Sequence, residues 1–462
     1  MGASLQTVRT WAREEFGGAD LGDRRRTGRL VRTAAALAAD PHGALPGSFR
    51  EGRDLKGAYR LMAGEAISHR GVQAAHWAAT RRRCAVPGDY LVVEDTTLLD
   101  YSDHHAAKDL GHIGNGGGRG FLVHSSLALR IEAWDGQGRP MVTVEGLLAQ
   151  RLWGRHGRTG CRTETHKERL SRPRESQRWA AVLETLPSPA PSVTWTYMAD
   201  READILEVLE RCVDRGVGYV IRAQKDRLLR EGGESLFAAV RAAPLLGTYE
   251  LNLRGRPGQE ARKALLEVRV KEVVIRPPWR PGGQHAPLTV AAVEAWEPAP
   301  PPGVPEVHWV LLTSWPHGDF AQVRRVLGVY TQRWLIEEYH KALKTGTRVE
   351  ASQLESARRL EALAGILGVV AVRLLNAKLQ AMARPDSPLD PEELSPAELA
   401  VLDAEFTRPT GGWTYRSLLV SIARLGGFLA RKGDGNPGWL TIWRGWRKLQ
   451  LMAHGYTLAG GT

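Results

Sequence analysis

The hydrophobic pattern changes twice along the chain, and its first part is helical. In residues 1–75 apolar side chains recur at helical spacing, as at Leu30, Ala34, Leu37 and Ala38. This spacing is typical of an amphipathic helix that packs on one face. Proline and glycine interrupt the pattern, so we predict several short helices that form one small unit.

From about residue 90, short apolar and β-branched runs bounded by turn residues replace the helical spacing. Such runs predict strands. A helical pattern through Ile205, Val208 and Leu209 separates the last two of them. Strands that first follow one another and then alternate with helices predict a mixed sheet covered by helices. The predicted strands are 90–93, 122–131, 141–147, 193–198 and 218–222.

The region between about 240 and 315 carries four more strand-like runs, separated by proline-rich segments. We interpret it as a β-rich insertion with exposed loops. Beyond it the chain becomes mostly helical to its end. The pattern predicts a helical unit over 1–75, an α/β domain over 76–370 and a helical unit over 371–462. The strands of the insertion are 249–253, 264–270, 288–293 and 308–312.

The composition adds a strong basic bias to this picture. The 462 residues carry a net charge of +12 and the pI is about 9.8, which is typical of proteins that bind polyanions. Arginine richness can also reflect coding composition. Half of the excess charge lies within residues 1–90, and its densest cluster contains Arg25, Arg26 and Arg29. We interpret these three as DNA contacts, although a charged run can equally be a solvated face.

Two other classes of protein are disfavoured. Cys84, Cys161 and Cys212 are widely spaced and form no C-x-x-C pair, which argues against a disulfide framework or a zinc site. The longest apolar run, 362–372, is shorter than the roughly 20 residues of a membrane span. We therefore expect a cytoplasmic protein with no membrane role.

Two carboxylates follow predicted buried strands. Asp95 comes after the run 90–93, and Asp200 comes after the run 193–198. The carboxyl ends of strands are where sheet enzymes keep their ligands. Either residue alone could instead be a turn or helix N-cap residue.

A third carboxylate lies in a helical segment rich in cations and aromatic residues. At 100° per residue, one face of the segment 330–344 presents Glu337 among basic and aromatic side chains, and the opposite face is apolar. A solvated face with paired charges is the alternative. The residues on the polar face are Tyr330, Arg333, Trp334, Glu337, Lys341 and Lys344.

This segment carries a family resemblance. The spacing Tyr330-x2-Arg333-x3-Glu337-x6-Lys344 resembles the signature of bacterial cut-and-paste DDE transposases of the insertion-sequence-four family, which form hairpin intermediates. Asp95 in Val-Glu-Asp-Thr-Thr resembles the first catalytic aspartate of the family. Asp200 in Ala-Asp-Arg-Glu-Ala-Asp resembles the second. The resemblance extends over nearly the whole chain, through 11–29, 57–60, 120–125, 309–314, 369–375, 425–427 and 443–446.

The resemblance implies an α/β fold with a ribonuclease-H-like catalytic core, a mixed sheet flanked by helices, between a helical DNA-end-binding domain and a helical dimerisation domain. In it Asp95, Asp200 and Glu337 would hold two Mg²⁺ ions, for which Mn²⁺ could substitute. Carboxylates are the ligands that Mg²⁺ prefers, and a metal pair suits phosphodiester transfer.

The remaining matched residues are implied to handle DNA. Arg333, Lys341 and Lys344 would contact phosphates near the cut, and Arg222 and Lys225 would follow the end DNA. A base swung out of the stack would enter a pocket formed by an indole from a strand and two aromatic residues of the signature. Its strand residue could instead be an ordinary core tryptophan. The pocket residues are Trp309, Tyr330 and Trp334.

The implied activity is nicking, hairpin formation, hairpin opening and strand transfer at transposon ends. The partners would be double-stranded DNA, as terminal inverted repeats and target, and a second copy of the chain in the synaptic complex. When bound, the protein would be associated with the nucleoid. Two alternatives remain open: an inactive or regulatory DNA-binding relative, and a ribonuclease-H-like nuclease without strand transfer.

Overall fold

A computed structural model gives the architecture of most of the chain. Cys161 lies outside the described residues, and Cys84 and Cys212 are buried free thiols. These two thiols form no disulfide, as the spacing predicts. The described residues are 5–49, 51–114, 116–155, 175–187, 192–230, 233–253, 255, 261–277, 286–389, 394–431 and 434–460.

The amino-terminal region consists of helices, as predicted. Asp23 caps the second helix, because its side chain accepts the backbone N–H of Arg25. Leu30, Ala34 and Leu37 on that helix are buried, so the apolar spacing does mark a packed face. The helices are α1 (Leu5–Phe16), α2 (Arg24–Ala39), α3 (Gly52–Ala63) and α4 (His69–Arg83).

A single mixed sheet of ten strands forms the centre of the protein. In this sheet β1 pairs antiparallel with β3 and parallel with β5, and β5 pairs parallel with β6. Helices cover both of its faces, so the predicted α/β class with a ribonuclease-H-like core is confirmed. The first strands are β1 (Gly88–Asp100), β2 (Gly111–His112), β3 (Arg119–Trp134), β4 (Pro140–Trp153), β5 (Val193–Ala199) and β6 (Gly218–Arg222).

The predicted β-rich insertion extends the same sheet. Its last strand pairs antiparallel with β6, and the other three follow outward in the order β9, β8, β7. Backbone hydrogen bonds thus make the insertion continuous with the rest of the sheet. Its strands are β7 (Gly247–Leu253), β8 (Arg262–Ile275), β9 (Leu288–Trp296) and β10 (His308–Thr313).

The two faces of the sheet have separate apolar cores. The first core holds Trp179, Leu209 and Leu236, which lie on or beside three short helices. These are α5 (Arg178–Ala181), α6 (Leu206–Asp214) and α7 (Leu236–Arg241). The second core holds the amino-terminal helices and the later helices. The later helices are α8 (Phe320–Thr331), α9 (Trp334–Lys341), α10 (Ala357–Ala383), α11 (Pro396–Glu405), α12 (Tyr415–Leu425) and α13 (Trp439–Leu458).

Helix α10 runs through the second core. It is long and apolar enough to cross a membrane, with a mean hydropathy of 1.7, yet 78% of that window is buried inside the protein. Contacts with α2, α3, α4, α9 and α12 account for its apolar sequence. The boundaries predicted at residues 75 and 370 fall inside α4 and α10, so they do not coincide with breaks between elements.

Two glycines allow helices α12 and α13 to cross at backbone contact. A Cβ atom added to Gly445 would lie 1.6 Å from the carbonyl oxygen of Ile422, and one added to Gly426 would lie 1.8 Å from that of Thr441. No side chain can be placed at either position without separating the helices. By contrast, Gly455 on α13 has nothing within 4 Å of its added Cβ.

We predict that Gly445→Ala lowers the free energy of unfolding by about 1–3 kcal/mol, because the helices must move apart. Gly455→Ala on the same helix should be neutral or stabilising by up to about 1 kcal/mol, since alanine is the better helix former. Urea unfolding of the two variants measures both effects. Equal stability of the two variants would contradict the crossing.

Candidate active site

The first two carboxylates lie where a parallel strand pair separates. The ladder between β1 and β5 ends at the pair Val93–Met198, and Asp95 and Asp200 follow within two residues of that point. Strands that stop pairing leave a crevice between them. The two aspartates therefore lie beside the same crevice.

The prediction that Asp95 ends a strand is wrong. Strand β1 continues to Asp100 and stays paired with β3, with Asp95 opposite Ser125. The polar residues after Val93 hid this continuation. Glu94 is fully buried and accepts hydrogen bonds from the hydroxyls of Tyr197 and Ser126, so a buried part of the strand carries a polar side chain. Asp95 therefore projects from a strand that is held on one side only.

Asp200 does follow the end of β5, and it also has the capping role that was the alternative. Its Oδ1 accepts the backbone N–H of Glu202 at 2.9 Å and so caps the short turn Arg201–Ala203. Asp95 makes a similar local bond, from the N–H of Thr96 to its Oδ1 at 2.7 Å. In both residues the local bond uses only the Oδ1 oxygen of the carboxylate.

The predicted helix over 330–344 is in fact interrupted. Helix α8 ends at Thr331, whose hydroxyl donates to the carbonyl of Gly328 at 2.6 Å, and α9 begins only at Trp334. A π-helical turn, Ala342–Gly346, then follows α9. Such turns shift the phase of the side chains and are frequent at functional sites. A single helical wheel therefore does not describe the relation between Glu337 and Lys344.

Despite this interruption, the signature residues lie close together. The Arg333 guanidinium lies 4.0 Å from Asp95 Oδ2 and forms an ion pair with Glu337. A cavity of about 370 Å³ lies beside these groups. It is lined by Asp95, Thr96, Thr97, Glu337, His340, Lys341, Lys344, Thr345 and Glu350.

The charges show that the three carboxylates form one electrostatic site. Burial, which acts most strongly, and the negative charges of Asp200 and Glu337 raise the pKa of Asp95 from 3.8 to about 6. The N–H of Thr96 and the guanidinium of Arg333 act in the opposite direction. Carboxylates from three distant segments of the chain thus lie near one another at one edge of the sheet.

The aromatic residues of the predicted base pocket are partly assembled. The rings of Trp309 and Tyr330 meet edge to face, 5.1 Å apart between centroids. The Tyr330 hydroxyl hydrogen-bonds to Arg222, whose guanidinium also donates to the carbonyl of His308 at 2.6 Å. Burial raises the pKa of Tyr330. Arg222 therefore braces the pocket, and Trp334 is half-buried at the start of α9.

Two family matches bear on this arrangement. Residues 170–373, which include Asp200 and Glu337, match the family described as transposase DDE domain, and residues 8–67 match that described as transposase DNA-binding. The two matched segments are thus similar to a DNA-binding domain and a DDE domain of transposases. Asp95 precedes the matched DDE segment, and only the sheet brings it to the other two carboxylates.

One solved structure has a weak similarity to this chain, which extends over most of both chains. A cryo-EM structure of the piggyBac transposase synaptic complex with hairpin DNA is 10% identical, with a TM-score of 0.38. The match covers 84% of this chain and 75% of that chain. A likeness at this level does not bear on the function.

The predicted DNA contacts of the amino-terminal region belong to the DNA-binding segment and not to the cavity lining. Arg25 is exposed and pairs with Asp23 at 3.1 Å, Arg26 donates to the carbonyl of Leu21 at 3.0 Å, and Arg29 lies over Gly57. Lys225 is exposed after β6.

The loop that carries Lys225 is anchored by a buried carboxylate. Asp204 Oδ2 accepts the backbone N–H groups of Gln224 and Lys225 at 2.7 and 2.8 Å. Asp204 lies four residues after Asp200, so the same turn holds both the carboxylate and this basic loop.

The sequence did not identify several residues of the site. His340 lines the cavity one turn after Glu337, and Glu350 pairs with Lys344 at 3.3 Å. Lys341 pairs with Glu338 at 3.0 Å. Glu350 could have been suspected only as a carboxylate near the signature, because nothing in its spacing links it to Lys344.

The donor set of the site fits a hard divalent cation. DDE transposase domains generally use divalent metal ions. Among the described residues no three acidic, histidine or cysteine side chains yet converge at ligand distance, and Arg333 lies near both Asp95 and Glu337. A divalent cation would neutralise Asp95, Asp200 and Glu337, whose negative charges interact, and its ligands would all be oxygen atoms.

We predict that Asp95→Asn stabilises the metal-free protein at neutral pH. Because the folded pKa is raised, ionisation of Asp95 costs stability as the pH rises from about 4 to about 6. The variant avoids this cost, which amounts to at most about 3 kcal/mol. Unfolding in EDTA at pH 4 and pH 7 should show a difference only at pH 7.

The exposed Asp89 on the same strand provides the control. Asp89→Asn should behave like the wild type at both pH values. An Asp95→Asn variant that is no more stable than the wild type at pH 7 would contradict the electrostatic description of the site.

Proposed function

We propose that this chain is a cut-and-paste transposase of the insertion-sequence-four type. It would nick DNA at a transposon end, form a hairpin on the flanking strand, reopen it and join the freed 3′-OH to target DNA. The observation that carries the proposal is the accumulation of Asp95, Asp200 and Glu337 at one edge of the sheet, in a chain that also carries a transposase DNA-binding domain.

In this proposal the three carboxylates hold the divalent metal, Mg²⁺ with Mn²⁺ as a substitute. Two such ions would supply the charge that stabilises the attacking and leaving oxygens of an in-line displacement. Asp95 and Asp200 approach from the sheet, and Glu337 approaches from α9. All steps use one site, so a single change in it should stop them together.

The cations beside the carboxylates would bind the phosphates of the DNA end. Arg333 and Lys344 are held by Glu337 and Glu350. A phosphate can replace such a carboxylate partner, because guanidinium and ammonium groups bind both anions. Lys341 lines the same cavity and would add a further contact.

The pocket formed by Trp309, Tyr330 and Trp334 would receive the flipped base. The rings of Tyr330 and Trp309 meet edge to face, and Tyr330 is buried, so a base would stack on the exposed part of Trp309. Arg222 would keep Tyr330 in place, and Lys225 would contact the DNA that leaves the site.

The arginines Arg25, Arg26 and Arg29 would contact the terminal repeat. Two ends must be brought together before they are joined, so we propose a homodimer in the synaptic complex. The location that fits this activity is the cytoplasm, on the nucleoid DNA.

We predict that Asp95→Ala, Asp200→Ala and Glu337→Ala each lower end cleavage by at least about 10³-fold. Each substitution removes a metal ligand, and the charge stabilisation that the metal supplies is worth several kcal/mol. Binding of a labelled end in Ca²⁺ should persist. Asp89→Ala, at the other end of β1, is the matched control. Full cutting by any of the three variants would exclude that residue from the site.

The products of the same assay separate the alternatives. Hairpins and joined strands support transposition, whereas cleavage with neither would favour a simple nuclease. End binding by the wild type with no cleavage would favour a regulatory DNA-binding protein.

We predict that Trp309→Ala leaves nicking intact and slows hairpin formation by about 5- to 150-fold, since stacking of one base on an aromatic ring is worth about 1–3 kcal/mol. Trp296→Ala, on the adjacent strand β9, is the control and should leave both steps unchanged. Equal loss of nicking and hairpin formation in Trp309→Ala would refute the base-stacking role.

A further inference from the structure

A buried glutamine lies behind the candidate active site with its whole amide engaged. Gln150 on β4 is 2% exposed. Its Oε1 accepts hydrogen bonds from Gln73 Nε2 at 2.8 Å and His69 Nε2 at 3.1 Å. Its Nε2 donates to Ser125 Oγ at 2.9 Å and to the Tyr339 hydroxyl at 2.8 Å. An amide offers two donors and two acceptor lone pairs, so all four are used.

On one side the glutamine is fixed by helix α4. Gln73 donates also to the carbonyl of Gly365 on α10 at 3.0 Å and accepts from Trp77 Nε1 at 3.1 Å. Burial lowers the pKa of His69 to about 4, so this ring is neutral at pH 7. It must then carry its proton on Nε2, since it bonds to the acceptor oxygen of Gln150.

On the other side the glutamine reaches the helix that carries Glu337. The Tyr339 hydroxyl accepts from Gln150 and donates to the carbonyl of Gly368 at 3.2 Å. Ser125 Oγ lies 3.3 Å from Nε2 of His340, and it can donate there because it already accepts from Gln150. His340 lines the cavity with Asp95 and Glu337.

The donors and acceptors of these hydrogen bonds match along the network, and Gly368 leaves the space that the two glutamines need. Each donor in the hydrogen-bond network from Trp77 to His340 meets an acceptor. Reversing the Gln150 amide would therefore leave buried groups unpaired. Gly368 admits the glutamines: a Cβ there would lie 2.7 Å from Gln73 Nε2 and 2.8 Å from Gln150 Oε1. The partners on both sides therefore fix the orientation of the Gln150 amide.

Helix α9 depends on contacts with the rest of the protein for its position. It has eight residues and ends in a π-helical turn, and helices so short have little stability of their own. The positions of Glu337 and His340 then depend on what α9 packs and bonds against. Among these partners, Gln150 is bonded to residues of α4, β3 and α9 at once.

We propose that Gln150 is a positioning residue that sets the catalytic helix against helix α4 through Tyr339 and Ser125, and so fixes Glu337 in the carboxylate site. This inference rests on the proposed function. Of the network only His340 lines the cavity, and Gln150, Gln73 and His69 lie behind it. The network acts through the placement of α9, and its loss should affect the rate of the chemical steps more than DNA affinity.

Tyr339→Phe tests the inference with the smallest change, because the ring stays and only the hydroxyl is lost. Tyr90→Phe is the matched control: Tyr90 is also fully buried, and its hydroxyl donates to the carbonyl of Val86 at 2.7 Å, outside the network. Ser125→Ala removes the branch to His340 and serves as a second variant.

Single-turnover cleavage is measured at saturating end DNA and Mg²⁺, below the unfolding temperature of every variant. Tyr339→Phe should slow cleavage by about 10-fold or more, as small misplacements of catalytic groups do, while the Kd for end DNA in Ca²⁺ stays within about twofold. Ser125→Ala should also slow it. Tyr90→Phe should cleave at the wild-type rate even where it loses as much stability.

A Tyr339→Phe rate within about twofold of the wild type, or an equal fall in Tyr90→Phe, would overturn the positioning role. Mn²⁺ binding, followed by electron paramagnetic resonance, gives a readout without catalysis: Tyr339→Phe should bind more weakly, and Tyr90→Phe should not. Unchanged Mn²⁺ affinity in Tyr339→Phe would also contradict the role. If the wild type itself does not cut DNA, the proposed function fails, and the Mn²⁺ comparison still decides the role of the network.

Discussion

The burial of neighbouring carboxylates is the constraint on which this structure depends. Burial is the main cause that raises the pKa of Asp95 to about 6, and the negative charges of Asp200 and Glu337 act in the same direction. Like charges in a partly buried site do not gather unless the scaffold holds them there. The parallel pair β1–β5, which stops pairing just before both aspartates, provides two of the three positions.

The third position depends on a short helix held from several directions. At its start, Arg333 pairs with Glu337 and approaches Asp95. On its inner side, Glu338 is buried, accepts from Lys378 at 2.8 Å and from Trp439 Nε1 at 3.1 Å. Against the effect of burial, the charges and hydrogen bonds of Lys378 and Lys341 lower the pKa of Glu338 to about 2. Glu338 thus ties the catalytic helix to α10 and to the carboxy-terminal helix α13.

Residue patterns predicted the strands, the helical ends and the three carboxylates, because each leaves a local mark on the sequence. They placed Asp95 at the end of a strand, because the strand was assumed to end where the apolar run ends at Val93. The break before Arg333 and the π-helical turn leave no such mark. Gln150 was not identified, since its partners Gln73 and Tyr339 lie 77 and 189 residues away along the chain. A buried amide far from its partners has no periodicity to reveal it.

Helix α10 has a consequence for the order in which the protein is completed during synthesis. It supplies apolar surface to α2, α3 and α4, yet residues 357–383 emerge from the ribosome only after about three quarters of the chain. Until then the amino-terminal helices lack a major part of their core. The region that matches a DNA-binding domain therefore reaches its final packing only after α9 has been made.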